Sequence, residues 1–124
     1  MGWQRVRALR AMENGKRNDL LTGDPDLARI VRLLQGYEPE RILLFGSRAR
    51  GEADAQSDYD LIVIKRTDLP FLDRLQAMVP YLVAFEHPAE ILVYTPEEFE
   101  RLGETGWGWV VQQEGIVVYE RRRH

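Results

Sequence analysis

The spacing of apolar residues changes along the chain, and the changes mark out its elements. Trp3, Val6, Leu9 and Met12 recur at roughly helical intervals, which predicts an amphipathic helix over residues 1–14, ended by Asn14-Gly15 and followed by a polar loop to Asn18. Asp24-Pro25 has the form of a helix start, with Asp24 as N-cap and Pro25 in the first turn. Leu27, Ile30, Val31 and Leu34 then form one stripe that Gly36 stops. Glu38-Pro39 turns the chain into RILLF, residues 41–45, a short apolar run between turn residues that predicts a buried strand.

A short helical turn is expected at residues 47–50 and a second strand at 58–64. With a period of two, Asp58, Asp60, Ile62 and Ile64 share one face, and Tyr59, Leu61 and Val63 share the other. The connection between the two strands is too short for a crossover helix, so they should be antiparallel. Residues 71–84 predict a helix carrying Leu72, Leu75, Met78, Val79 and Leu82, kinked or cut short by Pro80. A third strand over residues 90–94 sets Glu90, Leu92 and Tyr94 on one face. Thr95-Pro96-Glu97-Glu98 caps a helix to about Leu102. A further short helix, 105–113, should bury some of Trp107, Val110 and Val111. Trp107 and Trp109 are two apart and cannot share a helix face, so one should pack and the other be exposed. Gly115 breaks the helix, and 116–119 is a last strand before the basic run Arg121-Arg122-Arg123. The expected fold class is α/β (α+β), a small mixed sheet flanked by helices.

Composition narrows what such a domain can do. A chain of 124 residues, 44% hydrophobic, suits one domain over 1–124 with a modest core, residues 1–20 being a helical extension and 121–124 a basic tail. Seventeen basic against twenty acidic side chains give a net charge of −3, so nucleic acid is not an expected partner. The absence of cysteine excludes disulfides and thiolate metal sites and leaves oxygen ligands for any metal. No apolar stretch nears the roughly 20 residues that span a bilayer, and the N-terminus lacks the apolar core of a signal peptide. The expectation is a cytoplasmic protein without a membrane role. His87, before a proline, and His124 have no partners positioned by the sequence.

Three groups of residues carry candidate chemistry. Gly46-Ser47 after the first strand offers a turn that admits close backbone approach, plus a hydroxyl, with Arg48 and Arg50 adding charge. Alone this is an ordinary strand-to-helix turn, and it lacks the Gly-Lys-Ser/Thr of a P-loop. Asp58 and Asp60 on one face of an otherwise apolar strand repel each other unless a cation neutralises them, and magnesium, which takes oxygen ligands and bridges carboxylates to phosphates, is the natural candidate. Alone the pair would be turn formers at a strand start. Glu90 opens a later apolar strand, where a neighbouring strand could bring it to the aspartates as a third metal ligand or as a proton acceptor.

The combination GSRARG, SDYDLIVI, AEILVYTPEEFE and the terminal EGIVVYE resembles the nucleotidyltransferase superfamily of the DNA polymerase β type. The short length resembles its minimal (MNT) branch, found as antitoxins paired with HEPN proteins. The likeness covers approximately residues 27–120. It implies that Gly46 and Ser47, with Arg48 and Arg50, hold the phosphates of ATP, and that Asp58 and Asp60 ligate Mg2+. Glu90 stands at the third acidic position, where the family often carries aspartate. The implied reaction is transfer of AMP to a hydroxyl, in the toxin–antitoxin branch a tyrosine of the HEPN protein. So small a chain leaves little to build an acceptor pocket, so a second subunit, in a homo- or hetero-oligomer, should complete the site. Two other readings stay open: a binding antitoxin that silences its partner by occlusion, and transfer to a small molecule such as an aminoglycoside, or to RNA.

Overall fold

The computed structural model describes residues 17–121; the helix expected over 1–14, His124 and most of the basic tail lie outside the described residues. Residues 17–23 are helical (α1) where a loop to Asn18 was expected. Leu20 and Leu21 pack against the core, and that burial outweighs the polar composition of the segment. Helix α2, Pro25–Gln35, starts as the sequence requires: Asp24 accepts from the Leu27 N–H at 3.0 Å, and Leu27, Ile30, Val31 and Leu34 are buried.

The remaining elements are β1 (Arg41–Phe45), α3 (Ser47–Arg50), β2 (Tyr59–Ile64), α4 (Phe71–Ala77), α5 (Val79–Phe85), β3 (Ala89–Tyr94), α6 (Pro96–Leu102), α7 (Gly106–Glu114) and β4 (Ile116–Glu120). The sheet order is β3-β2-β1-β4. Strand β1 runs antiparallel to both β2 and β4, whereas β2 and β3 are parallel, so the sheet is mixed as expected. One face carries Ile42, Leu44, Tyr59, Leu61, Val63, Ile91 and Val93, packed against Leu27, Ile30, Met78 and Phe85 of the helical layer. The other face carries Leu43, Ile62, Ile64 and Val117 beneath Phe99 of α6 and Val111 of α7. No helix of the described residues is long and apolar enough to cross a membrane.

The helix over 71–84 is broken as Pro80 implied: two short helices meet at Met78, because Pro80 has no N–H to continue a ladder but fits the first turn of α5. The stripe expected on it is what needs correction. Leu72 and Val79 of the expected stripe are 75% and 48% exposed, and the buried residue of α4 is Arg74. Its guanidinium bonds both Glu98 carboxylate oxygens at 2.6 and 3.2 Å, the Leu69 carbonyl at 2.7 Å and the Val93 carbonyl at 3.2 Å. Arg74 in turn holds the Glu98 carboxyl below the usual glutamate range. Glu98 also closes the α6 capping box with Thr95, so one ion pair ties α4 to α6 across the end of β3. Arg74→Ala should lower the unfolding free energy by about 2–3 kcal/mol, read by urea unfolding, because it leaves two carbonyls and a half-buried carboxylate without their donor.

The second correction concerns α7. Trp107 and Trp109 are both about half exposed (47% and 50%). The buried face of the helix is Gly108, Val111 and Gln112. A Cβ at Gly108 would run into the Leu102 carbonyl, so α6 and α7 touch through the glycine and the bulky residues beside it turn outward.

Candidate active site

The candidate residues meet at the end of the sheet's second face, where β1 gives way to α3. Phe45, the last residue of β1, pairs with Asp60. On the other side of β2 the parallel register pairs Asp60 with Glu90. Asp60 alternates with Ile62 and Ile64, and Glu90 with Leu92 and Tyr94, so both carboxylates project from the face that α6 and α7 cover farther along. Asp60 is half-buried, and Glu90 is exposed on an edge strand. Asp58 precedes the first residue of β2 and is exposed.

Asp60 feels the other two acidic groups. Burial pushes the Asp60 carboxyl above its ordinary value, the negative charges of Glu90 and then Asp58 raise it further, and Arg50 opposes the rise. With a raised folded pKa, protonation of Asp60 adds stability below the ordinary aspartate range, and that contribution is lost as pH rises through the folded pKa. At neutral pH the ionised group is therefore held at a cost in stability.

Beside it, Gly46 has φ 75° and ψ −157°, a conformation open only to glycine, and a Cβ there would run into Asp60 Oδ2. The turn thus brings bare backbone against the carboxylate. Ser47 opens α3, and the N–H groups of Ala49 and Arg50 bond the Gly46 carbonyl at 3.1 and 3.2 Å.

The two arginines part company here. Arg48 donates to the Ser57 carbonyl at 2.8 and 3.2 Å and to the Asp54 carbonyl at 3.3 Å, pairs with Asp24 at 3.5 Å, and lies 3.8 Å over the Tyr59 ring. It is thereby committed to the loop that delivers Asp58 and to the opposite face of the sheet, where Tyr59 packs. Burial and a hydrogen bond donated to Asp24 push Tyr59 up to about 12, so that contact persists at any ordinary pH. Arg50 is exposed, paired with Glu52 at 2.8 Å and Glu114 at 3.4 Å, and is the arginine whose charge reaches Asp60. His87 packs against Phe85 and sits 3.5 Å from Asp26, a contact to α2.

Asp58, Asp60 and Glu90 are hard oxygen donors whose mutual repulsion a cation would relieve. No group of three such side chains is gathered closely enough among the described residues to form a ready metal cage. Magnesium is commonly held by one or two carboxylates, with phosphate and water oxygens completing its shell. Trp107, which periodicity did not single out, meets Phe45 edge-on at 6.2 Å between ring centroids. Its helix and β1 are some sixty residues apart, and no local pattern signals such a contact.

Several solved structures share this architecture. A protein of Sulfolobus solfataricus provisionally assigned as a nucleotidyltransferase matches with a TM-score of 0.55 and 20% identity, over 78% of this chain and 79% of that one. A toxin–antitoxin complex crystallised with AMP-PNP matches with a TM-score of 0.54 and 20% identity, over 77% and 73% of the two chains. An MntA–HpeT toxin–antitoxin complex carrying two aspartate-to-glutamate substitutions matches with a TM-score of 0.54 and 18% identity, over the same shares. No curated protein sequence matches the chain. The family model for polymerase beta nucleotidyltransferases matches residues 28–124, which includes the Gly46 turn and all three carboxylates, and the chain belongs to that family.

Proposed function

We propose that the chain transfers AMP from ATP to a hydroxyl on a partner protein, a tyrosine of a HEPN toxin, and acts as its antitoxin. The observation that carries this reading is the register of Asp60 with Glu90 beside the Gly46 turn, in a family whose reaction is nucleotidyl transfer. Two of the matched structures are toxin–antitoxin complexes, one of them with AMP-PNP, which supports both the nucleotide and the kind of partner.

In this reading the triphosphate lies along the Gly46-Ser47 turn, where the Ser47 hydroxyl and the backbone opening α3 meet phosphate oxygens, and Arg50 contributes positive charge. Arg48 acts at one remove, by fixing the loop before Asp58. Asp60, with Asp58 or Glu90, would hold Mg2+, which when bound supplies positive charge at the α-phosphate and the departing pyrophosphate. The acceptor oxygen bonds the α-phosphorus, the bond from that phosphorus to the bridging oxygen breaks, and pyrophosphate leaves. Glu90, exposed on the edge strand, takes the acceptor proton. Leu72, Val79 and Val83 are exposed apolar surface that suits a chain working against a second protein.

Those apolar surfaces equally favour occlusion without chemistry, and product analysis separates the two. Mixed with ATP, Mg2+ and the product of the neighbouring gene, the protein should release pyrophosphate in step with silencing of the partner. Silencing with no pyrophosphate would move the function to occlusion, and release of inorganic phosphate would make the site a hydrolase.

A further inference from the structure

We propose that Trp107 is the stacking platform for the nucleobase. This rests on the reading of the site as a nucleotide site, and adds where the base goes. Phe45 and Asp60 are directly opposed on antiparallel strands, a pairing that sets Cβ atoms about 5 Å apart. Phe45 and Trp107 meet edge-on, with their planes at 90°. Phe45 thus neighbours both the indole and the carboxylate at which the α-phosphate would lie. In a nucleotide one ribose separates that phosphate from the base, so an α-phosphate at Asp60 leaves the base within reach of the indole.

The indole is available and fixed. It is 47% exposed, and it is steadied by Phe45 and by its place in the first turn of α7, whose N-cap Thr105 accepts from the Gly108 N–H at 3.2 Å. The far end of the same helix is tied to the phosphate turn by the Arg50–Glu114 pair. One helix thus carries both an exposed aromatic ring and a contact to α3, which suits a ligand with a phosphate end and an aromatic end. Base–aromatic stacking tolerates any base.

The test compares Mg·ATP with Mg·tripolyphosphate, which has the phosphates and lacks the nucleoside, by calorimetric titration in the absence of partner. The wild-type chain should bind ATP more tightly than tripolyphosphate. Trp107→Leu should lose roughly tenfold or more of ATP affinity while keeping its affinity for tripolyphosphate. Trp107→Phe should recover part of the loss, and Trp109→Leu should match wild type. ATP affinity unchanged in Trp107→Leu would overturn the platform and leave the nucleotide site standing, and a loss of partner binding in that same variant would make the α7 face a docking surface instead. If wild type binds neither ligand, the platform falls together with the nucleotide reading.

Discussion

Asp60→Asn should cut AMP transfer roughly a thousandfold or more while raising the unfolding free energy at neutral pH. The loss follows from the position: Asp60 lies between Glu90 and the Gly46 turn, and an amide supplies neither the charge nor the second oxygen that a cation beside a phosphate requires. The gain follows from the same crowding. Burial, Glu90 and Asp58 all raise the Asp60 pKa, so the ionised form is disfavoured in the folded chain, and a neutral amide of nearly the same shape removes that penalty. The stabilisation should shrink as pH falls through the folded pKa of Asp60, where the wild-type carboxyl is itself neutral. Opposite signs for stability and activity mark a carboxylate kept for chemistry. A variant that is both less active and less stable would make Asp60 a structural residue.

Gly46→Ala should damage both properties. The backbone at φ 75°, ψ −157° costs a non-glycine residue about 1–3 kcal/mol, and the new methyl group meets the Asp60 carboxylate, so a total near 3 kcal/mol is expected from urea unfolding. Pushing that carboxylate aside by even an ångström should cost transfer about a hundredfold. Gly51→Ala is the matched control. Its φ is also positive, 76°, but with ψ 21° it sits in the left-handed helical region and its Cβ would point into open space. It should lose about 1 kcal/mol and almost no activity.

The local part of the fold was legible in the sequence. Asp24-Pro25, Thr95 with Glu98, and the alternation through 58–64 each depend on contacts within a few residues, and the helices and strands they predict are where the structure has them. The antiparallel β1–β2 pair followed from a short connection. Less legible was everything set by distant packing. Arg74 sits where a helical wheel expects an apolar residue, because its partners come from Leu69, Val93 and Glu98. Arg48 and Arg50 are two apart and look alike in sequence, yet one is locked over Tyr59 and the other faces the acidic cluster. Trp107 and Trp109 are both exposed because Gly108, by allowing α6 to approach, decides which face of α7 is buried.

Covalent modification of the partner is what separates AMP transfer from occlusion. Its most direct test is the intact mass of the partner after incubation with the wild-type protein, ATP and Mg2+, followed by mapping of the modified residue. A mass increase corresponding to added AMP is expected, located on a tyrosine hydroxyl and absent when ATP is withheld. A partner that is silenced at its unmodified mass would contradict it.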